Sequence, residues 1–416
     1  MGSRSITRWT AGIALAFLLL HGTGLCEELA PPVARAEATP GPAGSEDSTL
    51  AAMLGRLPDR PLGLEGAMVT YVDVARQTAA LGIDAPRGAG DEAGEQRWIA
   101  AVMPLMLPQA TGQYWAQPEW RKAFGFDLYQ VEQAVEYGAP PLGLTLLRGT
   151  FDPVVLRAAW VRGGYQPVDL GAGEAYAVRE DFEIDFSDPG SRMALGYLNV
   201  VAIADDGTLI LGSSRDGVRQ ALAAIAGTEP SFAGRADVAP LLRAAPPDLV
   251  SALLMDGEVL RAVPDPAGAF LGDESPQDFA TRVAEEQVEA RRLPPVAAML
   301  LGRTAGLLAG DPGLATPAAM PTPSARLVIA LGTISAEAAE TTASVIAERL
   351  ATGRTPLMGG DLADRPWVEL FLHRTVRAIS GEPAVLIELV PGPGVPGSIV
   401  QSMLFQRIPG FLAWDW

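Results

Sequence analysis

The sequence predicts an α+β protein made of two lobes, each a βαβ or ferredoxin-like layer with hairpin additions, whose sheets are mostly antiparallel or mixed. One observation is that 48% of its 416 residues are hydrophobic, which is enough for a substantial core. Another is that apolar runs of strand length alternate with segments of helical spacing. A third is a strand-to-helix corner that occurs twice, as LTLLRGTFDP at 144–153 and LVIALGTISA at 327–336.

The two corners share leucine, glycine and threonine at the same places. Asp152 in the first corner and Ser335 in the second can each cap a following helix. Both corners therefore keep a side-chain oxygen that can cap a helix, but only the first corner carries a negative charge there. We interpret both corners as strand-to-helix turns and not as ligand-binding loops.

The N-terminus predicts export. Arg4 and Arg8 precede the apolar run Ala11 to Leu20, which is too short to span a bilayer, so residues 1–26 are expected to be a signal peptide. Lipidation of Cys26, cleavage at 34–36 or 36–38, and an uncleaved anchor remain open alternatives. Residues 27–48 are rich in Ala, Pro and Glu, and we expect a disordered tether there.

The charge of the chain excludes some partners. A formal net charge of −18 argues against binding to nucleic acid, and against any membrane contact other than the N-terminal signal, anchor or lipid. Cys26 is the only cysteine, so no intramolecular disulfide can form.

The first lobe is expected at 49–263. Its first element is a strand running into a helix at 66–83, with Asp73 as the helix cap. The spacing of Leu128, Val131, Ala134 and Val135 predicts a helix that stops at Gly138. After the repeated corner, residues 199–227 predict a strand, an Asp-Gly hairpin turn, a second strand and a helix.

A helical and proline-rich connector is expected at 264–323, with a helix within 275–293. Its apolar run is interrupted by Arg303 and is too short for a membrane span. The second lobe is expected at 324–416. It begins with the second corner and an amphipathic helix, and then continues with a strand, a glycine-proline turn and a helix over 383–405.

Three segments of the first lobe carry a resemblance. GFDLYQVEQAVEYGAPP, LRGTFDPVVLRAAWVRGGY and ADDGTLILGSSRDGVRQALAA, behind an export signal, resemble a family of uncharacterised exported or lipid-anchored bacterial proteins of unknown function. The resemblance covers mainly the first half of the chain. It implies an extracytoplasmic location, and it supplies no catalytic residue.

The sequence contains little catalytic chemistry. His373 is the only histidine beyond the signal peptide, and no Gly-x-Ser-x-Gly motif occurs. Gly392, Gly394 and Gly397 have the spacing of a dinucleotide motif, but the prolines between them lack the N–H groups that would bind phosphate. We therefore expect no cofactor and favour a protein that is not an enzyme.

Two sets of residues are candidate sites. Asp181, Glu183 and Asp185 alternate with Phe182, Ile184 and Phe186, a pattern that predicts a half-buried strand with three acids on one face. Those acids could bind a metal ion, although a solvated edge strand is favoured. The second set is an aromatic segment that could form a platform for a ligand or plug the core; its residues are Tyr114, Trp115, Trp120 and Phe124.

The leading hypothesis is a non-enzymatic extracytoplasmic protein, secreted or on the cell surface, that binds an unknown small molecule or an envelope protein. One alternative is a carboxylate-dependent hydrolase acting on an envelope or polysaccharide substrate, which requires two acids facing each other across a cleft. The other alternative is a structural component of the envelope.

Overall fold

The structure, a computed structural model, mixes helix (37%) and strand (27%), which confirms the α+β class. It describes residues 50–63, 68–86, 91–108, 118–138, 142–188, 191, 194, 196–261, 275–308, 311, 324–355, 362, 364–405 and 410–414. These residues lie in one compact unit, Glu46–Trp416. The predicted signal peptide, tether and Cys26 lie outside the described residues.

The strands form one sheet with the order β11-β12-β10-β9-β8-β1-β2-β3-β7-β6-β5-β4. Neighbouring strands are antiparallel throughout. Their bounds are β1 (Val69–Asp73), β2 (Val131–Tyr137), β3 (Leu144–Gly149), β4 (Gln166–Val168), β5 (Glu174–Ala177), β6 (Val200–Ile203), β7 (Leu209–Gly212), β8 (Leu249–Asp256), β9 (Val296–Thr304), β10 (Leu327–Thr333), β11 (Phe371–Ala378) and β12 (Ala384–Pro391).

Helices cover both faces of the sheet. Face A is the side on which Tyr71 and Val328 lie, and a single apolar cluster covers it; face B, the side of Val72 and Ile329, carries two clusters. The α-helices are α1 (Leu50–Leu54), α2 (Val74–Ala80), α3 (Glu92–Val102), α4 (Pro118–Phe124), α5 (Pro153–Arg162), α6 (Arg215–Ile225), α7 (Ala239–Ala244), α8 (Pro276–Ala290), α9 (Ala336–Thr352), α10 (Trp367–Leu370) and α11 (Ile399–Phe405).

The sheet contains an internal repeat of strand order. Outward from the central β1–β8 pair, the order is β1-β2-β3-β7-β6 on one side and β8-β9-β10-β12-β11 on the other. In each half, a helical segment follows the central strand, β1 or β8, along the chain. A helix on face B, α5 or α9, follows the third strand from the centre, β3 or β10. The β4–β5 hairpin is an addition to the first half. The repeated corner of the sequence therefore belongs to a repeated arrangement of strands.

Most local predictions are confirmed. Asp73 caps α2, Asp152 caps α5 with Pro153 in its first turn, and Ser335 caps α9. The Asp-Gly hairpin joins β6 to β7, and Ser214 caps α6. The helix predicted within 275–293 is α8. Each of these elements has its turn or cap residues next to it in the sequence.

The helix predicted at 128–138 is wrong, because Val131–Tyr137 form strand β2. This strand lies inside the sheet and is buried on both faces, so its apolar residues do not alternate. Gln133 and Glu136 are buried as well, where Gln133 Nε2 donates to Asp73 and Glu136 accepts from the Thr145 hydroxyl. The helical spacing in the sequence is coincidental.

The segment expected to connect two lobes contains a central strand. β9 lies within 264–323 and pairs with β8 on one side and β10 on the other. Strands from 49–263 and from 324–416 therefore belong to one continuous sheet. The buried Arg303 that interrupts the apolar run sits on this strand.

The two corner glycines give a test of local packing. A Cβ on Gly149 would lie 1.9 Å from the carbonyl oxygen of Gln130, whereas one on Gly332 would meet nothing closer than 3.4 Å. We expect Gly149→Ala to lower the free energy of unfolding by about 1–3 kcal/mol, because backbone must move to admit the methyl group. Denaturant unfolding measures this.

Gly332→Ala is the matched control for Gly149→Ala. It should change the free energy of unfolding by less than about 1 kcal/mol, because its methyl group fits and also restricts the unfolded chain. Equal destabilisation by the two alanines would contradict the close approach of Gly149 to Gln130.

Candidate interaction site

The two described residues of the predicted aromatic platform are interior. Trp120 and Phe124, on α4, are 1% and 3% exposed and pack in the face B core. The Trp120 ring centroid lies 4.5 Å from that of Phe124 and 5.8 Å from that of Phe126. Tyr114 and Trp115 lie outside the described residues. Burial of Trp120 and Phe124 favours core packing over ligand binding for these two rings.

The three predicted metal-binding acids accept hydrogen bonds from other groups of the protein. Asp181 Oδ1 accepts from the backbone N–H and Nη1 of Arg215, at 3.0 and 2.9 Å. Asp185 accepts from the hydroxyl and N–H of Ser187, bonds that hold the pKa of its carboxyl below the ordinary value. Glu183 accepts from the backbone N–H of Glu180. In the described part of the chain, no group of three or more His, Cys, Asp or Glu could hold a metal ion.

The strand predicted at these acids is wrong, since the segment forms turns. The alternating pattern places the phenylalanines on the buried side, but Phe182 and Phe186 are 43% and 65% exposed. We call residues 178–188 the phenylalanine loop. Two aromatic rings of this loop are exposed to solvent, whereas the sequence pattern predicts that only the three acids lie on the exposed face.

Side chains outside the turn hold the phenylalanine loop in place. Asn199 Nδ2 donates to the carbonyl oxygens of Glu180 and Glu183, at 3.1 and 2.8 Å. The Phe182 N–H donates to the Ser213 carbonyl oxygen at the end of β7. Because Asn199 and Ser213 flank β6 and β7, the loop is fixed to the sheet and its rings are presented on a defined backbone.

Arginines add a second set of constraints to the phenylalanine loop. Arg179 Nη2 lies 2.6 Å from Asp188 Oδ2 and 3.4 Å from Asp185 Oδ2. Arg215, at the start of α6, pairs with Asp181 and, at 3.3 Å, with Glu180. Exposed ion pairs of this kind each contribute little energy, about 0.2–1 kcal/mol, but several together specify the loop geometry.

Phe182 has an unfavourable backbone conformation. Its φ of +64° lies in the left-handed region, which costs a residue with a Cβ about 1–2 kcal/mol. Phe186 has no positive φ. Backbone strain that is maintained by surrounding hydrogen bonds is typical of functional positions. Together with its exposure, this makes Phe182 the best candidate for an interacting residue.

The surroundings of the two rings are acidic. Residues 178–188 contain five acids and one arginine. An anionic lipid surface would be repelled by this charge.

A groove lies along α8. It has a volume of about 620 Å³, and Glu285, Val288 and Glu289 are among its lining residues. The two glutamates are four residues apart on one helix, so they project from the same wall and do not face each other as a hydrolase requires. Although partial burial opposes it, hydrogen bonds from Arg349 and Arg292 hold the pKa of Glu289 below the ordinary value. A general acid needs the opposite shift.

Asp73 is a buried acid with a different environment. Its Oδ1 accepts from the Arg76 N–H at 2.8 Å and its Oδ2 from Gln133 Nε2 at 3.0 Å. Burial nevertheless raises the pKa of Asp73 above the ordinary value. The carboxyl is 3% exposed, so it cannot meet a substrate from solvent. We assign it the role of a helix cap.

His373 lies on β11 and not beside the acids near it in sequence. Glu369 is paired with Arg365, and Asp364 with Arg354. These contacts leave the histidine without a carboxylate constellation in the described residues.

Comparisons with known proteins add no relative. A scan against protein families, a search of curated proteins and a search of solved structures each found no match to this chain. Within the described ranges, every helix is too short or too polar to cross a membrane. The candidate site therefore rests on the geometry of the chain itself.

The strain at Phe182 can be measured by comparing alanine and glycine. At position 182, glycine should be more stable than alanine by about 1 kcal/mol, because only glycine adopts a positive φ without a Cβ clash. At position 186 the order should reverse by a few tenths to about 1 kcal/mol, because glycine makes the unfolded chain more flexible. Thermal or denaturant unfolding of the four variants gives both differences. Alanine being the more stable residue at both positions would disprove the strain.

The buried carboxyl of Asp73 predicts a pH dependence. Because its pKa is higher in the folded protein than in the unfolded chain, its contribution to stability is full below the unfolded pKa of about 3.9 and is lost as the pH rises through the folded pKa. Asp73→Asn cannot take up this proton. The advantage of the wild type over Asp73→Asn in free energy of unfolding should therefore grow as the pH falls from neutral.

Denaturant unfolding at several pH values gives this comparison. Tyr71→Phe is the companion variant: it keeps the buried carboxyl but removes a hydroxyl whose hydrogen bond lowers the pKa of Asp73, so its pH dependence should persist and extend to slightly higher pH. A constant difference between wild type and Asp73→Asn at all pH values would refute the shift.

Proposed function

We propose that this chain is a non-enzymatic, extracytoplasmic binding or interaction protein, and that the phenylalanine loop is its contact site. The observation that carries this proposal is the pair of exposed rings, Phe182 and Phe186, on a loop fixed by arginine and asparagine side chains. Exposed aromatic side chains on a preorganised backbone bury a large area at a low entropic cost.

The partner we propose is an envelope protein with an apolar pocket bordered by basic residues. The loop keeps a net negative charge, because its five acids outnumber Arg179 within it and Arg215 beside it, and this charge would face the basic rim, which favours correct orientation and rapid association. A partner of the opposite design, with an acidic rim, would be repelled.

The proposed location rests on the N-terminal sequence. Arg4 and Arg8 before the apolar run Ala11 to Leu20 are typical of an export signal, and the protein would then be secreted or held at the cell surface. The proposal of two ferredoxin-like lobes also remains, and the repeated strand order around the β1–β8 pair supports a duplicated unit.

Photo-crosslinking from the loop tests the contact site. The full chain is expressed in its native cells with benzoyl-phenylalanine in place of Phe186 and, in a matched control, in place of Ile334, which is equally exposed but lies at the second corner. We expect one discrete adduct from position 186 that position 334 does not give. It should be recovered outside the cytoplasm.

Each outcome of the crosslinking experiment has a meaning. No adduct at position 186, or the same adducts at both positions, would rule out the phenylalanine loop as a specific contact. An adduct confined to the cytoplasm would refute the location while leaving the contact site intact.

A further inference from the structure

The sheet ends at two very different edges. β4 is three residues long and contains Pro167, which cannot donate a main-chain hydrogen bond and so limits strand addition. β11 is eight residues long, contains no proline and pairs only with β12. Within the part of the chain that the structure describes, the outer side of β11 has no neighbouring strand. Its main-chain groups are therefore available to an added strand.

β11 is regular over most of its length. A register shift lies between Phe371 and His373, and from there to Ala378 each residue opposes one residue of β12. Most side chains of the strand are exposed, and Leu372 is 60% exposed. The main chain from His373 to Ala378 is therefore regular enough to pair with an extended segment.

The charge of this edge is opposite to that of the whole chain. β11 contains His373, Arg374 and Arg377 and no acid, although the net charge of the chain is −18. Arg374 Nη1 donates to the carbonyl oxygen of Phe371 at 3.1 Å. Arg377 has no hydrogen-bond or ion-pair partner among the described residues. Among the residues that the structure describes, no acid pairs with Arg374 or Arg377.

The basic groups lie on both sides of the strand. Arg377 opposes Leu386 and so lies on face A, with Thr375 and His373 at alternate positions beside it. Arg374 opposes Leu389 on face B. A strand added to β11 would therefore meet a basic side chain whichever of its faces carries its acids.

We propose that β11 binds an extended acidic segment of another protein, which adds to the edge of the sheet. Main-chain hydrogen bonds to β11 would supply binding energy, and acids at alternate positions of the segment would pair with Arg374 and Arg377. A second copy of β11 is a poor occupant, because it would bring like charges together. The sequence of the edge thus disfavours self-association and favours an acidic partner.

This inference is independent of the phenylalanine loop. The loop is fixed to β6 and β7, in the first half of the sheet, whereas β11 is the last strand of the second half. Phe186→Ala should leave binding at β11 unchanged, so failure of one proposal does not imply failure of the other.

Three synthetic peptides test strand addition to the full exported chain. In the first, threonine alternates with glutamate; in the second, threonine alternates with lysine; the third is the threonine-glutamate peptide with every backbone nitrogen methylated, which keeps the charge but removes all of the N–H donors. We expect the threonine-glutamate peptide to bind at least tenfold more tightly than either of the others by fluorescence anisotropy. Hydrogen exchange should show new protection within β11 when it binds.

Reversing the charge of the two β11 arginines tests whether the peptide binds at this edge. The double variant Arg374→Glu/Arg377→Glu should bind the threonine-glutamate peptide about tenfold or more weakly, because two attractive pairs become repulsive. Arg162→Glu, an exposed change on α5, is the matched control and should bind as the wild type does. High salt should weaken the wild-type interaction.

Several results would overturn the proposal. Equal binding of the N-methylated peptide would mean a diffuse charge attraction with no added strand. Equal loss in Arg162→Glu and in the β11 variant would mean that the peptide does not bind at this edge. No binding of the threonine-glutamate peptide, with β11 amides unprotected, would mean that the charges of the edge serve only to keep it unpaired.

Discussion

The pairing of β1 with β8 joins the two halves of the sheet, and the rest of the structure depends on it. Val69 to Val72 oppose Ser251 to Leu254, residues that lie far apart in the sequence. Gln77, on the helix that follows β1, strengthens the junction, because its side chain accepts from the N–H of Gly306 and donates to the carbonyl oxygen of the same residue. Gly306 follows β9, so one buried amide connects a helix of the first half to a loop of the second.

The same junction contains a buried ion pair. Arg303 Nη2 lies 2.7 Å from Asp311 Oδ2 and 2.8 Å from the carbonyl oxygen of Gly306. An ion pair that is removed from water adds little net stability, but the loss of one partner is costly. The ion pair therefore contributes more to the specificity of the junction than to its stability. It lies on face B between two apolar clusters, where a continuous apolar layer would allow other registers.

The ends of the sheet, by contrast, are where side chains are left exposed. The phenylalanine loop beyond β5 and the basic edge at β11 both depart from the rule that apolar groups are buried and charges are neutralised. The loop maintains a strained residue, Phe182, through a hydrogen bond that its N–H donates to the Ser213 carbonyl oxygen and through others that Asn199 donates to the loop. Features of this kind cost stability and contribute nothing to the core.

The sequence by itself determined the elements whose signals are local. Asp73, Asp152 and Ser335 mark helix starts because a side-chain oxygen next to a free N–H acts within one turn of the chain. Only the tertiary structure decided the rest. β2 is a strand because neighbours on both faces bury it, and β9 is central because β8 and β10 pair with it. Asp181 meets an arginine and Phe182 turns outward, since the contacts that fix them come from Asn199, Ser213 and Arg215, which no local pattern reveals.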